Sequence, residues 1–136
     1  AGLAHLGQLN TLQILSLPRR ITNAGLRHLK DLDRLQTLSV GGVRVTDAGL
    51  VHLVGLTSLR NLYLFAPGIT DAGLVHLCQL TKLQSLSCAG SRITDAGLHH
   101  LEELKGLQFL DIARTRVTDA GLAELRKKLP KCKINR

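Results

Sequence analysis

The side chains of this chain that could do chemistry are its histidines, serines, cysteines and arginines. Five histidines, His5, His28, His52, His76 and His100, recur at near-constant spacing, each two residues after a repeated leucine. Glu124 ends the column, and His99 stands apart because adjacent helix positions do not face each other. A metal site needs ligands converging to ~2 Å from one ion. Side chains running in parallel from successive units do not converge. The column reads instead as a structural one on a helix flank, each His bonding its neighbour's backbone, and no metal or cofactor is expected. A serine nucleophile needs a base within hydrogen-bond reach. Ser16, Ser39, Ser85 and Ser87 fall on strand-like segments, on the opposite side of the unit from every His. Asp111 has no carboxylate partner for a glycosidase-like pair. Gly41-Gly42 is not followed by the Lys-Ser/Thr of a phosphate loop. The expectation is a protein that is not an enzyme.

A binding role has better support. The chain holds one Tyr, two Phe, and no Trp or Met. Residues between strand leucines point away from a core, and they form three outward rows. The first is Ile14, Thr37, Asn61, Ser85 and Phe109; the second is Ser16, Ser39, Tyr63, Ser87 and Asp111; the third is Pro18, Gly41, Phe65, Ala89 and Ala113. Every aromatic of the chain falls in these rows. Exposed aromatics among small polar residues are a common binding-site composition, although aromatics also simply suit strands. The candidate partner-binding residues are Asn61, Tyr63, Phe65, Ser87, Phe109, Asp111 and Arg114. Arg44, Arg92 and Arg116 share a loop column broken by Gly68, and Arg19 and Arg114 lie beside strand ends. They could pair bidentately with an acidic ligand, stand solvated, or bond free loop carbonyls.

These residues are positioned by a repeat. Thr22-Asn23-Ala24-Gly25-Leu26 returns as Thr46-Asp47-Ala48-Gly49-Leu50, then at Thr70–Leu74, Thr94–Leu98 and Thr118–Leu122. The period is 24 residues, with a first interval of 23 from Gly2 to Gly25. After each phrase leucines recur three apart, as in Leu50, Leu53, Leu56 and Leu59, and end in an alternating pair, Leu62 and Leu64. The first half suits one face of a helix and the second a short strand. Asp47, Asp71, Asp95 and Asp119 suit helix N-caps, and Asn23 can do that job uncharged. The following Gly lets adjacent units approach closely. No single unit can bury its own leucines, so the units must stack.

The chain resembles the leucine-rich-repeat family, with its Leu-x-x-Leu-x-Leu strand signature. Its Thr-Asp-Ala-Gly-Leu phrase is similar to that of many bacterial repeat proteins and, in longer repeats, of F-box proteins. The resemblance covers essentially the whole chain. It implies an α/β fold: a right-handed leucine-rich-repeat solenoid with short parallel strands on the concave face, helices on the convex face and a protein or peptide ligand on the strands. One departure concerns the Asn, Cys or Thr that the family often places three residues beyond the last strand leucine. Here Arg20, Val43, Pro67, Ser91 and Thr115 stand there, and only the last two could bond the loop backbone.

The expected organisation is one domain, 1–136, of five repeats with a capping helix and strand at about 118–136. Pro130 stops the last helix. Cys132-Lys133-Ile134 reads as a final strand, and its outward Lys131 and Lys133 would discourage further pairing. No comparable polar cap precedes Leu12–Leu17, so the N-terminal edge is expected to be covered by further sequence or by a neighbour, self-association included. The chain begins at Ala1 in mid-repeat, which suggests a piece of a longer protein.

The formal charge of +8 is uneven: six bases and no acid in residues 126–136 leave the rest at +2. The basic end reads as a solvated cap. The competing reading is an anionic partner, nucleic acid or an acidic surface, but the segment has no aromatic to stack on bases. No stretch approaches the ~20 apolar residues of a membrane span. The strand positions of Cys88 and Cys132 put them ~10 Å apart on strands spaced ~4.8 Å, beyond disulfide reach, and Cys78 lies on the helix side. Three free thiols lean toward a reducing compartment such as the cytoplasm.

Overall fold

The computed structural model describes residues 2–136. The alternating ends of the repeats form six parallel strands: β1 (Ile14–Ser16), β2 (Thr37–Gly41), β3 (Asn61–Phe65), β4 (Ser85–Ser87), β5 (Phe109–Asp111) and β6 (Lys133–Asn135). They lie side by side in chain order in one sheet. The register sets Leu15, Leu38, Leu62, Leu86, Leu110 and Ile134 opposite one another. A slip of one residue would turn these inward side chains to solvent, so the register is specified by burial. Each strand returns through a helical half-turn on the far side, which makes the chain a right-handed solenoid with strands on the concave face.

The helical halves differ from a regular helix. Only one turn of α-helix forms in the first four units: α1 (Asn23–Leu26), α2 (Asp47–Leu50), α3 (Asp71–Leu74) and α4 (Asp95–Leu98). A tighter 3₁₀ turn follows at Arg27–Leu29, Val51–Leu53 and His99–Leu101. The reason lies in the leucine spacing. Three residues per turn is the 3₁₀ period, and it keeps every third leucine on the core side where a 3.6-residue period would rotate it away. Only α5 (Asp119–Lys128) is a longer α-helix, and there the leucine spacing widens from three to four between Leu125 and Leu129. The helix stops before Pro130 as expected.

The core is a column of leucines shared between units. Leu26, Leu50 and Leu74 are fully buried, as are Leu38, Leu62, Leu86 and Leu110. Each such side chain contributes roughly 1.5–3 kcal/mol on leaving water, but only when the next unit covers it.

The aspartates of the repeated phrase are not the helix caps that the sequence suggested. The residue before each helix is Thr, and the hydroxyls of Thr70 and Thr94 accept from the N–H groups of Ala72 and Ala96 at 3.3 Å. The aspartates reach to the next unit instead. Thr70 N–H donates to Asp47 Oδ1 at 2.8 Å and Thr70 Oγ1 donates to Asp47 Oδ2 at 2.6 Å. Asp71 holds Thr94 in the same way, and Asp95 holds Thr118. Asn23 occupies the first such rung, with Thr46 N–H donating to its Oδ1 and its Nδ2 donating to Thr46 Oγ1. The glycine of the phrase is required by this clasp: a Cβ on Gly73, Gly97 or Gly121 would run into the Asp carboxylate of the preceding unit.

Three further expectations need correction. Leu110 pairs with Ile134, so the last strand is Lys133–Asn135, and Cys132 lies before it opposite Gln108 rather than in line with Cys88. Its outward residues are Lys133 and Asn135, not Lys131 and Lys133. Of the two candidate loop-bonding residues, Thr115 donates to the carbonyl of Ile112 at 2.7 Å, while the buried Ser91 hydroxyl has no partner. At the N-terminal edge a 3₁₀ helix, Gly2–Gln8, precedes β1, and Leu3, Leu6, Leu12 and Leu15 pack partly buried against the core. Ile14 remains 69% exposed there.

Candidate functional site

The strands place their outward side chains on one open surface. Phe65, at the end of β3, is 52% exposed, and Phe109, at the start of β5, is 40% exposed. Tyr63 is half-buried between Ser39 and Ser87, its register partners on β2 and β4. Asn61 is half-buried and its Nδ2 donates to Thr37 Oγ1 at 3.0 Å, so it braces the neighbouring strand. All three aromatics therefore lie on the strand face, but only the two phenylalanines stand well out from it.

Phe65 is a ridge between two hollows. One, of about 600 Å³, includes Ser16, Arg19, Ser39, Gly41 and Val43. The other, of about 580 Å³, includes Pro67, Ala89, Gly90, Asp111, Ala113 and Arg114. Both fall in the size range of ligand pockets. The hollows exist because the third outward row reads Gly41, Phe65, Ala89, Ala113: one large ring among residues with little or no side chain.

The polar candidates divide. Asp111 Oδ1 accepts from Ala113 N–H at 3.1 Å and from Asn135 Nδ2 at 3.0 Å, while Ser87 Oγ donates to Oδ2 at 3.4 Å. This ties β4, β5 and β6 together across the face. Ser87 is only 3% exposed and belongs to that brace rather than to a contact surface, which corrects its place among accessible candidates. Arg114 is exposed at the rim of the second hollow. Sequence reasoning overlooked the hollows themselves, although the small residues on either side of Phe65 are their visible signal.

The remaining groups are not brought together. The histidines of the repeat column form no side-chain hydrogen bond among the described residues; the one that does so is His99, 2.9 Å from Glu102. The column's expected bonds to neighbouring backbone are thus absent among the described residues. Among the described residues no group of three His, Cys, Asp or Glu side chains could hold a metal ion. Cys78, Cys88 and Cys132 are free thiols. Burial, with a smaller push from Asp111, raises Cys88 to about 12. Such a thiol stays protonated and is no nucleophile. Among the described residues the loop arginines donate no side-chain bond to loop carbonyls; the arginine side chain that does donate is Arg136, to Asp119. In the basic end, Arg126, Lys127 and Lys128 sit in the last turn of α5, where cations favour the helix dipole, and Lys127 pairs with Glu124 at 2.7 Å. Among the described residues no helix is long and apolar enough to cross a membrane.

Comparison with known proteins bears on the family. No family model matches the chain, and no curated protein matches it at a significant level. Solved structures do. A leucine-rich-repeat protein of Leptospira interrogans superimposes with a TM-score of 0.73 at 26% identity, over 98% of this chain and 33% of that one. Internalin C2 of Listeria monocytogenes gives 0.64 at 28% identity, over 79% of this chain and 44% of its own. The chain has the leucine-rich-repeat fold. Internalin F of the same organism, at 19% identity and a TM-score of 0.55, shares the fold. The chain spans about a third of the Leptospira chain and less than half of internalin C2. At the level the likeness supports, the leucine-rich-repeat fold is that of a repeat-protein interaction module.

Proposed function

We propose that the chain binds a protein or peptide on its concave strand face, with Phe65 and Phe109 as anchors, Tyr63 beside them, and Asp111 and Arg114 at the rim. One observation carries this reading: two phenylalanines stand open to water on a sheet face made mostly of small and polar residues, and one of them parts two hollows. Exposed aromatics cost hydration free energy that a partner would recover, and aromatic anchors in pockets dominate interface energies. An extended peptide crossing the strands would seat side chains in both hollows.

Peptides selected from a displayed random library on the immobilised protein test this. They should lose about tenfold or more in affinity on Phe65→Ala/Phe109→Ala, a typical effect of removing anchor residues. They should keep their affinity on Val51→Ala/Val75→Ala, whose exposed side chains lie on the helical side. Peptides that bind the phenylalanine variant undiminished would refute the site.

A second reading has its own observation. β1 is paired on one side only, and Ile14 and Leu9 are exposed beside it. An unpaired apolar edge favours stacking on a second chain. Sedimentation that stays monomeric over a hundredfold rise in concentration, roughly the span that exposes weak dimers, would exclude it.

A further inference from the structure

The loops leading from strand to helix carry an unbalanced charge. Residues 18–22, 42–46, 66–70, 90–94 and 114–118 hold Arg19, Arg20, Arg44, Arg92, Arg114 and Arg116, and no acid. All six are exposed. Among the described residues none forms an ion pair. Of the aspartates that follow these loops, Asp47, Asp71 and Asp95 are each occupied by the Thr of the next unit, and Asp119 is paired with Arg136.

Alignment on the buried residues Ile21, Val45, Ile69, Ile93 and Val117 shows a column reading Arg20, Arg44, Gly68, Arg92, Arg116. Backbone bonds fix its spacing. Arg92 N–H donates to the carbonyl of Ile69 at 2.8 Å, and Arg116 N–H donates to that of Ile93 at 3.0 Å. Arg92 and Arg116 thus stand on neighbouring rungs, about 4.8 Å apart. Like charges in register repel, and among the described residues no ion pair offsets this pair.

Arg114 adds an independent sign. It is the one non-glycine residue with positive φ among the described residues, at 60°. The preceding unit fills the same place with Gly90, at φ 75°. Glycine adopts that region freely, whereas a bulky L-residue is strained there. Strain held by an exposed, unpaired cation points to function rather than to folding.

We infer that Arg92, Arg114 and Arg116 form an anion site that takes neighbouring carboxylates of an acidic segment of a partner protein. Alternate side chains of an extended segment lie on one face, about 6.6 Å apart, within the span of arginines based on adjacent rungs. The guanidinium fork matches a carboxylate bidentately. A nucleic-acid strand fits less well. Gly68 interrupts the column, so the arginines cannot track a continuous phosphate backbone, and no succession of aromatics offers a stacking platform. The inference shares Arg114 with the concave-face reading but needs neither Phe65 nor Phe109.

Fluorescence anisotropy with three labelled probes tests it: an eight-residue peptide alternating Glu and Ser, its Gln–Ser counterpart, and an oligothymidylate of eight nucleotides. The Glu peptide should bind with an affinity that falls as salt rises, and the Gln peptide should not bind. Arg92→Glu/Arg116→Glu should weaken the Glu peptide by about tenfold or more, with Arg92→Gln/Arg116→Gln as the gentler variant and melting curves to confirm folding. Lys82→Glu/Lys105→Glu should leave it unchanged. Arg114→Gly should weaken binding while raising the melting temperature by a few degrees, of the order that relief of one strained residue gives. Equal binding of the Glu and Gln peptides, or indifference to the Arg92 and Arg116 changes, would overturn the inference. Tighter binding of oligothymidylate, lost in the same variants, would overturn the partner assignment in favour of nucleic acid.

Discussion

Asp71 of one unit and Thr94 of the next are locked by two bonds, Thr94 N–H to Oδ1 at 2.7 Å and Thr94 Oγ1 to Oδ2 at 2.6 Å, across a sequence separation of 23 residues. The same hydroxyl accepts from Ala96 N–H, so the carboxylate holds the group that caps the next helix. Asp71→Ala removes both bonds and leaves Thr94 N–H unpaired. The expected loss is about 2 kcal/mol, the scale of bonds to a charged acceptor. Asp71→Asn should lose less, because Asn23 makes the equivalent pair of bonds to Thr46. Urea unfolding of the two variants checks the order; equal losses would mean that the bonds contribute nothing beyond the side chain's bulk.

The asparagine rung is weaker in one respect. Asn23 Nδ2 donates to Thr46 Oγ1, and Thr46 makes no side-chain cap to its helix, whereas Thr70 and Thr94 do. Asn23→Asp should turn the hydroxyl into a donor and free it to cap α2. A gain of roughly 0.5–1 kcal/mol is expected from one restored cap. The readout is the midpoint of urea unfolding, and an unchanged or lower midpoint would count against the relay.

Gly97 lies against the same clasp. An added Cβ would meet Asp71 Oδ1 and come within 3.0 Å of Leu74 Cδ1. Ala gains about 1 kcal/mol of helix propensity over Gly, yet overpacking costs about 1–3 kcal/mol. Gly97→Ala should therefore destabilise the wild type. In an Asp71→Ala background the obstacle is gone and the same change should be neutral or stabilising. A double-mutant cycle reads the coupling, and additive losses would show that the glycine serves something else.

How much of this was legible follows from the range of the interactions. The leucine register and the strand face are periodic, so composition along the chain displays them. Phe65 and Phe109 could be placed on the face from alternation alone. The role of the aspartates could not. Asp47 at a helix start satisfies the local rule for a cap as well as it satisfies a bond to Thr70, 23 residues on, and only geometry separates the two. The burial of Ser87 was hidden for the same reason: it depends on Asp111 of the next strand folding over it. The 3₁₀ turns were written in the spacing of three, but that spacing also falls on one side of an α-helix over two turns.

Acid should loosen the last rung. The hydroxyl and backbone N–H of Thr118 hold Asp95 below its ordinary value of 3.8, with help from Arg136. A depressed folded value means that the contribution is complete above the unfolded value and is lost as pH falls through the folded one. Stability should therefore be flat with respect to this group above pH 3.8 and decline below it. Asp95→Asn should remove that part of the decline. Urea midpoints measured between neutral pH and pH 2, roughly the lower end of carboxylate titration, give the test; parallel curves for the two proteins would reject the assignment.

Cys88 gives the opposite slope at high pH. Its thiol replaces a strand leucine, is fully buried, and is pushed by burial and then by Asp111 from 9.0 to about 12. The folded chain resists ionising it, while the unfolded chain does not. Its contribution to stability is complete below pH 9.0 and is lost progressively as pH rises from there toward about 12. Cys88→Val, a change of similar volume with no ionisable group, should flatten the stability curve across that window. The same burial should shield Cys88 from a maleimide that labels the half-exposed Cys78. Its labelling should then require unfolding, so the rate should rise with urea only near the unfolding midpoint. Labelling of Cys88 as fast as of Cys78 in buffer would mean that the β4 turn opens locally, and the stacked leucines could not then be one continuous seal.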